Sequence, residues 1–225
     1  MGTTRSSEAP LDAGLVILDV DGTLVDSNYQ HVLAWEQAFR EHGLQVPAWR
    51  IHRHVGMGGD QLVKALVGEE ADADYGDAIR DTRERLFTEL YLPVIRAFDD
   101  AVPFLRRLRG EGRRVVLASS SKQHELDRYL ELLDADALTH AATSASDVDH
   151  TKPDPDLLEV AIERGGGGRA VMVGDSVWDC VAAERIGLPL VGVLTGGFGE
   201  AELLSAGAIH VWPSLGEFPA PAPLS

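Results

Sequence analysis

The chain is predicted to be an α/β protein, with a Rossmann-like parallel sheet core and an inserted all-helical cap domain. Three observations lead there. Short apolar, β-rich runs alternate with helix-length amphipathic segments over much of the sequence, which is how βαβ units in a helix-covered sheet read. One stretch, residues 27–95, carries helical periodicity and no convincing strand, so it interrupts the rhythm as an insertion. Carboxylates, hydroxyls or a lysine follow the strand-like runs, and open parallel sheets bind their ligands beyond those carboxyl ends.

In chain order, the polar start "MGTTRSSEAP" lacks the apolar region of a signal peptide and is expected to be a flexible tail over residues 1–10. "LVILDV" at 15–20 is the first buried strand, and Asp21-Gly22 after it has turn chemistry. Within the insertion, "NYQHVLAWEQAFREHG", "GDQLVKALVG" and "YGDAIRDTRERLFTELY" place apolar residues at helical spacing, and Pro93 marks the return to the core. "RRVVLASS" is the next strand, followed by the helical "KQHELDRYLELL" and "DPDLLEVAIERG". "GGGG" at 165–168 reads as a turn into the strand "AVMVGDS", which leads into the helix "VWDCVAAERIG". "LPLVGVLT" and, more weakly, "AIHVW" complete the sheet. The resulting division is a discontinuous core over 11–26 and 96–218, a cap over 27–95, and a second flexible tail, "PAPAPLS", over 219–225. There is no internal repeat.

Composition excludes several classes of function. The 225 residues include 36 acidic and 20 basic ones, a formal net charge of -16, which argues against a nucleic-acid partner whose phosphates call for clustered Lys and Arg. The single cysteine, Cys180, rules out an intramolecular disulfide and fits a reducing cytoplasm. No apolar run approaches the roughly 18 residues of a membrane span. Oligomeric state is left open.

The strand ends carry the chemistry. Asp19 and Asp21 stand one residue apart after the first strand, where two carboxylates repel each other and become costly to ionise once partly desolvated. A hard divalent cation would reverse that balance, although a plain turn also accounts for the pair. Ser119, Ser120 and Ser121 end the second core strand at a helix start, where backbone N–H groups favour an anion or a serine simply caps. Lys152, before Pro153, sits extended at the mouth of a helix. Asp175 and Asp179 follow the strand "VMVG" on one face of a helix, where capping is the ordinary explanation.

Taken together and in this order, "DVDGT", Ser119, Lys152 and "GDSVWD" resemble the motifs of the haloacid dehalogenase superfamily, in its phosphatase branch. The likeness runs over residues 14–217, and the helical insertion looks like the mobile cap of the phosphoglycolate phosphatase and β-phosphoglucomutase group. It implies a Mg²⁺-dependent phosphatase acting on a small phosphorylated metabolite, of phosphoglycolate or sugar phosphate type. Asp19 would be the nucleophile and Asp21 the general acid and base, while Ser119 and Lys152 would bind the phosphoryl oxygens. The metal would be held by the side chains of Asp19 and Asp175 and the backbone carbonyl of Asp21, with Asp179 in or near that shell. Ser120 joins the phosphate-binding set, and Gly22 and Thr23 would turn the chain with their amides facing the phosphate.

The same resemblance separates subfamilies. Dehalogenases lack the second Asp that stands here as Asp21, and P-type ATPases need membrane helices. A phosphonate hydrolase would need a Schiff-base lysine in the cap, where Lys64 is alone and reads as a solvated face. Substrate choice is expected in the cap. His31 and the loop "HVGMGGD", with Gly58 and Gly59, are the candidates for facing the core, although His31 could merely pack and the glycines merely turn. Arg80, Arg83 and Arg85 offer charge for a second anionic group on a helix that also reads as solvated. The competing readings are a phosphosugar mutase and a non-catalytic phosphate-binding protein. Against the mutase, Gly59 occupies the place of the phosphate-gripping Arg in its "GxSRxD" pattern.

Overall fold

Four apolar residues with no solvent access, Leu15–Leu18, form β1 at the centre of the sheet. The computed structural model describes residues 13–218; the tails expected at 1–10 and 219–225 lie outside the described residues. After β1 come β2 (Val25–Asp26), then α1 (Asn28–Glu41), α2 (Ala48–His52), α3 (Gly59–Val67) and α4 (Glu69–Leu86), the last prolonged by a π-helical turn through Tyr91. The chain returns at β3 (Arg96–Ala97), which pairs antiparallel with β2 where the helical segment joins the core. Then follow α5 (Ala101–Gly110), β4 (Arg114–Ala118), α6 (Gln123–Leu132), α7 (Ala135–Leu138) and β5 (Ala141–Thr143). The remainder comprises α8 (Asp156–Arg164), β6 (Ala170–Gly174), α9 (Val177–Arg185), β7 (Leu190–Val193), α10 (Glu200–Ser205) and β8 (His210–Trp212).

The main sheet has six parallel strands in the order β5-β4-β1-β6-β7-β8. Both faces are covered, which is why its strands read as continuous apolar runs rather than alternating ones. Val16, Leu18, Val115, Leu117 and Val173 point to one face and join α5, α6 and the cap helices in a single core. Leu15, Ile17, Val116 and Met172 point to the other, onto α8, α9 and α10. Strand order runs outward from β1 to β4 and β5, then reverses to β6, and ligand crevices open at such a reversal, beyond the strand ends.

The parallel sheet with flanking helices and the helical insertion match expectation, whereas β5, α5, α7 and α10 are additions to the expected elements, and the glycine run at 165–168 is a turn with three left-handed residues. Among the described residues no helix is long and apolar enough to cross a membrane.

Candidate active site

Register brings the sequence-predicted residues together. Leu18 pairs with both Leu117 and Val173, so Asp19, Ser119 and Asp175 leave the sheet side by side, just beyond β1, β4 and β6. Carboxylate oxygens of Asp19, Asp175 and Asp179 all lie within 4.8 Å of one another, in full burial. Lys152 reaches into this group, contacting Asp19 closely and Asp179 at 2.8 Å. Burial works against its charge, yet the two carboxylates hold its pKa above the usual lysine range. The acids are crowded in turn. Burial first and Asp179 second push Asp175 up to about 7, and the same two causes raise Asp19 well above its ordinary value despite Lys152. One lysine against three desolvated carboxylates leaves a deficit of positive charge, and an all-oxygen donor set of this kind fits a hard divalent cation.

Asp21 is held apart from that cluster. Ser27 donates to it at 2.6 Å and Ser121 at 2.7 Å, and His31 Nε2 lies 2.7 Å away. Burial alone would raise its pKa; the His31 contact and these donors outweigh it and hold the carboxyl well below the usual carboxylate range. Arg83 donates to the other ring nitrogen of His31, which leaves Nε2 as the donor to Asp21. His31 also stacks on Phe87, so it does pack, but its polar edge faces the site.

The turn after Asp21 corrects one expectation. Gly22 has φ +76, and a β-carbon there would come within 2.3 Å of Asn28 Nδ2 and 2.4 Å of Asp175 Oδ2, so glycine is required by both conformation and space. Its amide, however, donates to Val25 and that of Thr23 to Val20, so the tight turn uses both and neither faces the site. Thr23 acts instead through its hydroxyl, which donates to Asp175 at 2.7 Å. Both explanations of Asp179 are realised at once. One oxygen completes a capping box with Ser176 at the start of α9 while the other meets Lys152.

A cavity of about 260 Å³ opens over these groups beneath the cap. Ser120 and Ser121 line it, whereas Ser119 is fully buried beside it, 3.4 Å from Asp21. Among the described residues Ser120 Oγ is buried with no hydrogen-bond partner, an acceptor or donor left for a ligand. Gly59 lines the cavity but Gly58 does not: its Cα faces Thr151, whose Oγ1 would stand 2.0 Å from an added β-carbon. Gly58 thus serves close docking of the cap loop against Thr151. The arginines divide in the same way. Arg80 and Arg83 line the cavity, while Arg85 pairs with Glu41 at 3.1 Å on the outer surface. Lys64 is half exposed and paired with Glu69, as a solvated face requires.

Several site residues escaped the sequence reading. Ser27 and Asn28 look like a helix cap, but Ser27 makes no side-chain cap and gives its hydroxyl to Asp21. Asn28 donates to Asp175 at 2.9 Å and to the Gly196 carbonyl at 3.2 Å. Glu125 holds Arg83 at 2.5 Å, and Asp60, the last residue of the expected loop "HVGMGGD", accepts from the Thr151 amide and hydroxyl and fastens the cap beside Lys152. Their common signal, polar residues just outside a motif, is too ordinary to stand out before the fold brings them together.

The comparisons with known proteins agree with this geometry. A family model described as haloacid dehalogenase-like hydrolase matches residues 14–187. A phosphoglycolate phosphatase from Pseudomonas putida is 29% identical over 201 residues, 85% of this chain and 73% of that protein. Validoxylamine A 7'-phosphate phosphatase from Streptomyces hygroscopicus is 24% identical over 220 residues, covering 90% of this chain and 98% of that protein. The crystal structure of a hydrolase from Pseudomonas syringae superimposes with a TM-score of 0.83 at 33% identity, covering 89% of this chain and 93% of that one. With the motifs side by side at the strand ends and the match extending over most of the chain, this protein belongs to the haloacid dehalogenase-like hydrolase family.

Proposed function

We propose that the protein is a Mg²⁺-dependent phosphatase that hydrolyses a small phosphorylated metabolite, of sugar phosphate or phosphoglycolate type, through an aspartyl-phosphate on Asp19. The observation that carries this reading is the contrast between two neighbouring carboxylates. Asp19 lies in the acid cluster against Lys152, and Asp21 lies among donors on the opposite side, so two chemically identical groups are set up for different work.

In the first half-reaction an Asp19 carboxylate oxygen attacks phosphorus, and the bond to the leaving oxygen breaks as Asp21 delivers a proton to it. A bound phosphoryl dianion beside Asp21 raises its affinity for that proton. In the second half-reaction Asp21 takes a proton from water, which attacks phosphorus, releasing inorganic phosphate and restoring the Asp19 carboxylate. Ser119, Ser120 and Lys152 bind phosphoryl oxygens throughout, and Thr23 and Asn28 fix the rotamer of Asp175. The side chains of Asp19 and Asp175 and the carbonyl of Asp21 would hold Mg²⁺, with Asp179 in or near that shell. When bound, the ion offsets repulsion between carboxylate and phosphate and stabilises charge on the transferring group.

The mutase alternative gains from His31 on Asp21 but needs a cation to grip a distal phosphate. Gly59, where that pattern has Arg, supplies none; its Cα instead faces Trp35. The test of the whole reading is Asp19→Asn. The change is nearly isosteric, so the protein should stay folded by circular dichroism while phosphate release falls to background. Substantial residual turnover in a clean preparation would refute the nucleophile assignment.

A further inference from the structure

The proposed chemistry fixes where the phosphoryl group goes, and the rest of the cavity bears on what is attached to it. Four lysine and arginine side chains line this space, and each is already engaged by carboxylates. Lys152 belongs to the acid cluster. Arg83 is held by Glu125 at 2.5 Å, Arg80 by Asp72 at 2.7 Å and Asp77 at 2.9 Å, and Lys122 by Glu84 at 3.0 Å. Glu84 itself lines the cavity, and Asp149 adds a further carboxylate to the lining. Away from the phosphoryl site the lining therefore carries no surplus of positive charge. A second anionic group there would have to break an existing ion pair and then face Glu84 and Asp149. Trp35, Leu62 and Val148 also line the cavity and offer apolar surface suited to the carbon face of a ring or chain.

Resting on the phosphatase reading above, we infer that the substrate is a monophosphate ester whose leaving group is uncharged and hydroxylated, a polyol or sugar, and not an ester bearing a second anionic group. Hydroxyls of such a group donate to Glu84, which already accepts from Lys122, and to the exposed Asp149, while its carbon face covers Trp35 and Leu62. Carboxylates that accept from a neutral hydroxyl reject an anion at the same place, so one arrangement supplies both attraction and discrimination.

Glycerol 3-phosphate and 2-phosphoglycolate are small primary alkyl phosphates that differ mainly in the charge of the remainder, so they form the decisive pair. Each is measured with Mg²⁺ present as a competitor of p-nitrophenyl phosphate hydrolysis, which reports it whether it turns over or only binds. Phosphoglycolate should compete roughly ten- to hundredfold more weakly, the order expected when an anion is set against like charges. Glu84→Gln, which removes one repelling charge and releases Lys122, should narrow that gap several-fold. Competition by phosphoglycolate equal to or stronger than that of glycerol 3-phosphate would overturn the inference while leaving the phosphatase reading intact. Failure to hydrolyse p-nitrophenyl phosphate at all would overturn the phosphatase reading, and this inference with it.

Discussion

Arg83 of α4 carries a guanidinium into a space shared with Trp35, Phe87 and His31, lying 4.6 Å over the Phe87 ring. Its counter-ion is Glu125 of α6, whose side chain is wholly buried. The pair is incompletely satisfied, since Arg83 Nε and one Glu125 oxygen lack partners among the described residues. A buried pair of this kind contributes little net stability, but removing one partner strands the other charge, at a cost of about 3–5 kcal/mol. Glu125→Ala should therefore lower the unfolding free energy by about that amount in a urea titration, and Arg83→Met combined with Glu125→Leu should recover most of it. The double variant should nonetheless stay catalytically impaired, because His31 loses the donor that orients its ring toward Asp21. If stability and activity recovered together, the pair would be a packing element with no part in positioning His31.

The elements differ in how clearly the sequence announces them, and for the short strands and α2 length explains the difference. β1, β4, β6 and β7 are buried apolar runs and read plainly; β2 and β3 have two residues each, too few to show any period, and β5 is only Ala141–Thr143 with little β propensity. α2 spans five residues and was missed for the same reason. α4 starts at Glu69, earlier than its apolar spacing suggests, because its first turn is acidic and is stabilised by the helix N-terminus rather than by burial. The core motifs were legible because Asp19, Ser119 and Asp175 are unusual residues just beyond strands, while Lys152 comes from the turn before α8 rather than from the strand end expected of it. The cap loop was not, because its glycines matter through close approach, which only the fold reveals. A β-carbon at Gly58 would meet Thr151 and one at Gly56, at φ +102, would come within 2.4 Å of Ser176 Oγ. Gly58→Ala should cost about 1–3 kcal/mol by overpacking and raise KM as the cap loop is lifted from the core. Gly110→Ala, at the last residue of α5 where a β-carbon meets nothing within 4 Å, should instead gain about 0.4–1 kcal/mol, and thermal melts of the two variants check both.

At the scale of the molecule, one apolar core runs from the sheet through the cap helices, and the acid cluster lies buried next to it. That burial makes the cluster costly wherever its charges are uncompensated. Asp175, pushed up to about 7 from an ordinary 3.8 by burial and by Asp179, binds a proton more tightly folded than unfolded. A raised carboxylate pKa means that the folded state holds more protons between those two values, so stability falls as pH rises through that window. Metal-free protein should accordingly melt at lower temperature at pH 7.5 than at pH 5.5. Mg²⁺ binds the ionised carboxylates of the folded state and has no comparable site in the unfolded chain. At a concentration one hundred times its dissociation constant it should add about 2.7 kcal/mol and flatten the pH dependence. Chelation should abolish turnover and restore the slope together, and Asp175→Asn should weaken both the Mg²⁺ stabilisation and the slope. A melting temperature indifferent to Mg²⁺ at pH 7.5 would show that Lys152 compensates the three carboxylates without an ion, and the assignment of Asp19, Asp175 and Asp179 as a metal site would fail even if the enzyme remained active.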